Sequence, residues 1–101
     1  MTYLREIAAE IQEEVGRVAL PDLDTTVLFD LYALLALTLG ADTTPRDVHH
    51  AWVAWMLSRG ETHESMVPFE ALPPAVRAED VPFARAIGVV AVRRRSRGGN
   101  G

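Results

Sequence analysis

The sequence predicts an all-α fold: a single small domain of about four helices with an ordered proline-rich connection over residues 61–74. Two observations support this fold class. Apolar residues recur at helical spacing in four segments, whereas no segment shows the period of two that is typical of strands. The chain of 101 residues, with 49% hydrophobic and 24% charged residues, also has the size and composition of one globular domain. We therefore expect residues 1–92 to form one helical domain.

The first helix is predicted over residues 3–18. Its apolar residues follow the i, i+3, i+4, i+7 series and its charged residues occupy the opposite face, so the helix is amphipathic. Thr2 is a suitable cap for its start. Leu20-Pro21-Asp22 is expected to end it, because proline disfavours a helical residue before it and cannot donate to the helix ladder.

The second helix is predicted to begin after Asp24, with Asp24 or Thr25 as its cap, and to end at a left-handed Gly40. Apolar residues surround most of its circumference, which is typical of a central helix packed on several sides. So apolar a helix in a short domain can also bury one face against another copy. Residues 3–18 and 24–39 are therefore the predicted surfaces of a homo-oligomer.

Thr44-Pro45-Arg46-Asp47 is a strong start signal for the third helix, with threonine as cap, proline at the first position and aspartate near the positive end of the helix dipole. This helix is expected to end at Gly60. A last helix is predicted from about Pro82 to Val92, after a helical turn across Pro74 to Glu79.

The connection over residues 61–74 contains too many prolines for a long helix and too many apolar residues for a free linker. We expect Val67-Pro68-Phe69 and Leu72 to form an apolar plug. This plug would hold the connection against the helix that bears Trp52, so the connection is predicted to be ordered.

The basic residues are distributed unevenly along the chain. All ten are arginine, and four lie near the C-terminus: Arg93, Arg94, Arg95 and Arg97. We expect residues 93–101 to form a disordered basic tail. The other six arginines and all fourteen carboxylates lie in residues 1–92, so this body carries a charge near −8. An acidic body argues against nucleic acid as a partner, because such binding requires neutralisation of phosphates.

Several function classes are excluded by residues that the chain lacks. It has no cysteine, which excludes disulfides, thiolate zinc sites and cysteine nucleophiles. A GxSxG motif, a glycine-rich phosphate loop and an evident pair of nucleophile and base are also missing, so we predict no enzymatic activity and no cofactor. No segment has the apolar core of a signal peptide or the ~20 residues of a spanning helix, so we expect a cytoplasmic protein without membrane contact.

Two stretches resemble the ryanodine-receptor repeat (RyR) domain. The first is Asp47-Val48-His49-His50-Ala51-Trp52, a helix with valine, histidine and, three residues later, tryptophan. The second is His63-Glu64-Ser65-Met66-Val67-Pro68-Phe69-Glu70-Ala71-Leu72, a histidine turn that leads into a valine-proline-aromatic run. The resemblance covers about residues 24–90. The whole lysine-free chain also resembles small uncharacterised proteins of actinobacterial phages.

This resemblance implies a small helical module that senses a ligand or contacts a protein, with nucleotide-like ligands proposed for family members. Trp52, Trp55 and Arg59 lie at i, i+3 and i+7 on one side of the third helix. There the indoles can stack on a base and the guanidinium can bind phosphate. The alternative is that both tryptophans complete the core and that Arg59 complements the helix dipole.

His49, His63, Glu64 and Ser65 are the other candidate ligand-binding residues. Any small-molecule pocket is expected between residues 63–65 and the face of α3 that carries the two tryptophans. His49 and its neighbour on the helix point about 100° apart, so they do not suit one ion, and no metal site is predicted. The alternative for His49 is a partly buried imidazole bonded to the backbone of the connection.

Two functions follow from these observations. The first is a non-enzymatic phage accessory protein whose RyR-like domain binds a small nucleotide-derived ligand, to sense or sequester a host signal. The alternative is a protein-interaction adaptor or structural phage protein that acts as a homo-oligomer without a small ligand. The aromatic and histidine residues favour the first function, and the apolar second helix favours the alternative.

Overall fold

Helices and 3₁₀ turns account for the regular structure in the computed structural model, which describes residues 3–16 and 24–98. In chain order the helices are α1 (Tyr3–Val15), α2 (Thr26–Thr38), α3 (Pro45–Ser58), α4 (Pro74–Ala78) and α5 (Val81–Gly98). The 3₁₀ turns lie at Gly40–Asp42 and Phe69–Ala71, and the described residues contain no strand. The predicted all-α domain of about four helices is confirmed, and α4 is the short turn expected before the last helix. None of the described helices has both the length and the apolarity to cross a bilayer.

The helix ends follow capping signals in the sequence. Before α3, the Thr44 hydroxyl accepts a hydrogen bond from the Asp47 N–H at 3.3 Å, and the Thr44 N–H donates to the Asp47 carboxylate at 2.8 Å. Before α2, Thr25 occupies the N-cap position without a side-chain capping bond, and the Asp24 carboxylate accepts from the Thr26 N–H at 3.0 Å instead. Gly40 has a φ of 58°, the left-handed conformation predicted after α2.

The first helix ends earlier than predicted. α1 stops at Val15 and does not reach residue 18. Gly16 has a φ of 70°, in the left-handed region that glycine adopts without a steric cost and that terminates helices. The predicted cap Thr2 and the predicted stop at Leu20-Pro21-Asp22 lie outside the described residues.

α2 lies at the centre of the core and packs against α1, α3 and α5. Tyr32 on its buried face meets the ring of Phe29 edge-on, with centroids 5.3 Å apart, and lies 5.6 Å from the ring of Phe83 on α5. The largest fully buried side chains of the core are Trp55, Phe29, Ile11, Ile87, Val48 and Val90. The three long helices around α2 thus all contribute to one core, and α2 leaves one face free of it.

The connection between α3 and α4 packs on α3, as predicted. Leu72 is only 4% exposed and Phe69 is partly buried, so these two residues form the apolar plug. Val67 and Pro68, which the sequence also assigns to the plug, are exposed. Val67 holds the connection through its backbone carbonyl instead, which bonds to a histidine of α3.

α5 is longer than the sequence predicts. Its expected end lies near Val92, with residues 93–101 in a disordered tail, but the helix continues to Gly98. The helical state of residues 93–98 corrects this expectation, and its physical cause is a set of opposite charges on α1. Residues 99–101 lie outside the described part of the chain.

The arginines at the end of α5 pair with the acidic face of α1. Arg93 donates to Glu14 at 3.0 Å, Arg97 donates to Glu10 at 3.0 Å, and Arg94 also pairs with Glu10. Burial raises the pKa of Glu10, but hydrogen bonds from Arg94 and Arg97 outweigh burial and hold this pKa below its ordinary value. These ion pairs hold α5 against α1 along the exposed edge of the two helices, so the arginines contribute to the stability of the fold.

Candidate functional site

Trp55 and Arg59 pack together at the end of α3. The Trp55 indole is 1% exposed and belongs to the core. The guanidinium carbon of Arg59 lies 5.2 Å from the centre of the indole ring, a distance typical of a cation–π contact. Of the alternatives raised by the sequence, this placement matches Trp55 as a core residue, with Arg59 lying over its ring.

His49 is buried at 3% exposure and links α3 to the connection. Its Nε2 lies 2.7 Å from the carbonyl oxygen of Val67. A carbonyl only accepts hydrogen bonds, so we assign the proton to Nε2. The ring stacks on Trp52 with centroids 5.9 Å apart and lies 6.1 Å from Phe69. The backbone-bonded imidazole expected from the sequence is therefore present, with the connection as its partner.

The ring of His63 extends this packing to the surface. It meets the partly buried Trp52 edge-on, at 5.4 Å between centroids. The Ser65 N–H donates to Nδ1 of His63 at 3.0 Å, so the outward Nε2 carries the proton in the neutral ring. Glu64 is exposed beside it. We call His49, Trp52, His63 and Phe69 the aromatic cluster.

The structure thus separates the seven nominated residues into two groups. Five lie in or beside the aromatic cluster: His49, Trp52, His63, Glu64 and Ser65. The pair of Trp55 and Arg59 lies one turn further along α3, with its indole turned into the core. Among the described residues, no group of three carboxylate or imidazole side chains is placed to hold a metal ion.

Asp80 is a polar residue whose environment the sequence does not reveal. It directly precedes α5 and is partly buried. Burial raises the pKa of Asp80 to about 6, nearby His49 opposes this rise, and Glu79 adds to it. Burial also raises the pKa of Tyr32, and the charge of Asp80 adds to that rise. The only sequence signal was an aspartate before a helix, which indicates a cap and says nothing of burial.

One apolar surface lies on α2, on the side away from the core. Val27, Leu34 and Leu37 are each about half exposed, and Leu31 is partly buried because it also packs against the edge of the core. We call these four residues the α2 stripe. Asp30 lies beside the stripe; its Oδ2 pairs with Arg5 Nε at 3.0 Å, whereas its Oδ1 is buried without a hydrogen-bond partner among the described residues.

A second surface is an open groove between α5 and the segment 41–45. Its walls include three valines with exposed side chains, a glycine and two arginines: Val81, Val89, Val92, Gly88, Arg85 and Arg93. We call it the α5 groove. The sequence did not indicate it, because its two sides are distant in the chain and meet only when α5 packs on the turn after α2.

Comparisons with known proteins bear on identity. Searches of the curated proteins and of the solved structures gave no match. One family matches, described as "Domain of unknown function (DUF7701)", over residues 2–92. The resemblance to ryanodine-receptor repeats is therefore wrong. The stretches that carried it serve the packing of this fold, with His49 and Trp52 under the connection. The match covers most of the chain, which belongs to the DUF7701 family.

Proposed function

We propose that this domain is a non-enzymatic protein-interaction domain that acts as a homo-oligomer, in which two copies meet through the α2 stripe. The observation that carries the proposal is the exposure of leucine and valine side chains along one face of the central helix. A central helix of a monomer needs apolar residues on its core side only, so an apolar outer face calls for a further partner.

The spacing of the stripe suits contact with a like helix. Val27, Leu31 and Leu34 are separated by four and then three residues, which places them on one side of α2. This spacing is the one that lets side chains of two helices interdigitate. A two-fold contact uses the same patch on both copies, so a single stripe supplies both halves of the interface.

The charges beside the stripe favour association. Asp30 is the acidic residue next to these side chains, and its ion pair with Arg5 compensates its charge before a second copy arrives. Covering a compensated charge costs less than covering an isolated one. Each half-exposed leucine gains about 1 kcal/mol on full burial. Because association itself costs several kcal/mol, we expect a dimer that depends on protein concentration.

The test compares two leucine substitutions of similar chemistry. Leu34 in the stripe is 49% exposed and Leu57 on α3 is 64% exposed, so a glutamate is tolerated by the monomer at either position. Sedimentation velocity at high salt, which screens contacts between exposed charges, over a range of about 1 to 500 µM should show a wild-type dimer, a monomeric Leu34→Glu variant and a Leu57→Glu variant that behaves as wild type. A wild-type chain that stays monomeric throughout, or a dimer that survives Leu34→Glu, would overturn the proposal.

A nucleotide-derived small molecule is a second candidate partner, and one observation favours it. Trp52 is partly exposed beside His63, Glu64 and Ser65, so an aromatic edge and several polar groups share one surface. A thermal-shift panel of mono-, cyclic and dinucleotides with ADP-ribose tests this, because ligand at about 100 times Kd adds about 2.7 kcal/mol of stability. Failure of every nucleotide to shift Tm or quench tryptophan fluorescence removes this candidate.

A further inference from the structure

We propose that the α5 groove of one copy receives the outer face of α1 from a second copy, in a head-to-tail contact. This contact goes beyond the α2 dimer, because it uses two other helices and two different patches. The groove and the outer face of α1 match in charge, in spacing and in the size of their central residues.

The groove carries two arginines, Arg85 and Arg93, with Gly88, Val89 and Val92 between them along α5 and Val81 one turn before Arg85. Arg85 has no hydrogen-bond or ion-pair partner among the residues that the structure describes. Arg93 lies eight residues further along α5 and lines the groove while it donates to Glu14. Val81 and Val89 expose their side chains to the same surface. The groove therefore suits an acidic helix that is small at its centre.

Gly88 keeps the floor of the groove open. Its φ lies outside the left-handed region, so its backbone does not require glycine. A Cβ at this position would lie 3.7 Å from Ala41 Cα, an ordinary van der Waals contact, so packing within the chain does not require glycine either. Glycine inside a helix is less stable than alanine. The missing side chain at Gly88 therefore leaves room for a helix of a second copy to approach α5 closely.

The outer face of α1 has the complementary pattern. Glu6 and Glu13 are exposed and make no hydrogen bond or ion pair with other described residues, and the exposed Ala9 lies between them. At 1.5 Å per residue, the two glutamates are about 10 Å apart along α1 and the two groove arginines about 12 Å apart along α5. In the proposed contact Ala9 faces Gly88 where the two helices come closest, and one glutamate of α1 lies near each of the two groove arginines.

The contact is heterologous, because one copy contributes α1 and the next contributes the groove. Such a contact leaves each copy with one unused half, and it extends to longer assemblies unless a ring closes. Its charged pairs are solvent-exposed at the rim, so raising salt should weaken it, whereas salt should not weaken an apolar α2 contact. Salt dependence therefore separates the two contacts.

The experiment uses the full chain with Leu34→Glu as the parent, so that the α2 contact cannot contribute. The first variant, Glu6→Arg/Glu13→Arg, damages the α1 half. The second, Arg85→Glu, damages the groove half. Arg95→Glu is the matched control, because Arg95 is an exposed arginine of α5 that lies outside the groove.

At low salt and up to about 1 mM protein, we expect the parent and the Arg95→Glu control to associate in sedimentation equilibrium. Each damaged variant alone should associate at least tenfold more weakly. Their equimolar mixture should form a dimer that does not grow further, because it contains one intact α1 face and one intact groove. A monomeric parent, unaffected variants or a mixture that stays monomeric would each overturn the head-to-tail contact and leave the α2 dimer to its own test.

Discussion

The aromatic cluster and the α2 stripe differ in what covers them. The inner part of the aromatic cluster is covered by the chain itself, because the connection lies over α3 and accepts a hydrogen bond from the buried His49, while His63 remains exposed. The α2 stripe consists of aliphatic residues that the chain leaves half exposed. The buried His49 thus packs within the fold, whereas the leucines of the α2 stripe are exposed on its surface. Each prediction below tests one side of this difference.

The largest effect on the free energy of unfolding is expected at the buried Trp55 of α3. Trp55→Ala should lower the free energy of unfolding by about 3–5 kcal/mol, because it empties a fully buried site and removes the ring under Arg59. Trp52→Ala is the matched control and should cost less, since its ring is partly exposed. Denaturant unfolding measures both. Equal losses would show that the two indoles are not covered differently.

The hydrogen bond that closes the connection comes next. His49→Ala should lower the free energy of unfolding by about 1–3 kcal/mol, because the Val67 carbonyl loses its partner and the stacked rings lose support. His50→Ala, at the exposed neighbouring position, should change stability by less than about 0.5 kcal/mol. Limited proteolysis should cut residues 61–74 faster in the His49 variant alone. A connection that stays resistant would contradict the role of this bond.

A pH-dependent effect is expected at Asp80, where burial raises the pKa to about 6 from an ordinary value of 3.8. The folded chain holds this proton more tightly than the unfolded chain, so the contribution of Asp80 is fully present below about pH 4 and is lost as the pH rises through about 6. The ionised carboxylate therefore destabilises the fold at neutral pH. Besides burial, the charged groups that act on this pKa are His49, which lowers it, and Glu79, which raises it.

Asp80→Asn keeps the shape of the side chain and removes the charge. After a discount for partial exposure, it should raise the free energy of unfolding by about 1 kcal/mol near pH 7.5 and change it little near pH 4. Denaturant unfolding at both pH values measures this gain. A gain of the same size at both would show that the charge of Asp80 is not the cause.

A smaller effect, an increase in the free energy of unfolding, is expected from a substitution at Gly88. Gly88→Ala should stabilise the monomer by about 0.5–1 kcal/mol, because alanine favours helix and its Cβ fits beside Ala41. Gly40→Ala is the control and should destabilise, since Gly40 has a φ of 58°. Thermal unfolding at a protein concentration low enough to keep the chain monomeric measures both. A loss of stability in Gly88→Ala would mean that packing within the chain requires this glycine.

The smallest effect on stability is expected in the α2 stripe. Leu34→Ser should change the free energy of unfolding of the monomer by less than about 0.5–1 kcal/mol, because its side chain is already half exposed. Leu28→Ser, on the buried face of the same helix, should cost several times more. Unfolding of dilute samples compares them. Similar losses would place the α2 stripe inside the fold and not on its surface.

Local signals predicted most of the fold, and contacts distant in the chain account for what they missed. The capping pair of Thr44 and Asp47 lies within four residues, so the start of α3 was readable from sequence. The extension of α5 depends on Arg94 meeting Glu10, which lies 84 residues away in the chain. No local pattern contains that information, and an arginine-rich terminus therefore resembled a disordered tail.

The candidate site was less predictable for a related reason. Trp52 and Trp55 lie one turn apart on the same helix and look equivalent in the sequence. Trp52 faces the connection and Trp55 faces the core, which only the packing of the other helices decides. The apolar circumference of α2 was read correctly, but which of its leucines stay exposed depends on where α1, α3 and α5 pack.

The absence of cysteine from the chain provides the most direct test of the α2 contact. Leu34→Cys and Leu57→Cys each introduce a single thiol at an exposed position, one inside the α2 stripe and one outside it. Under mild oxidation at equal micromolar concentration, non-reducing gels should show Leu34→Cys converting rapidly to a disulfide-linked dimer while Leu57→Cys stays largely monomeric. Equal rates of cross-linking at the two positions would contradict the α2 stripe as the surface on which two copies meet.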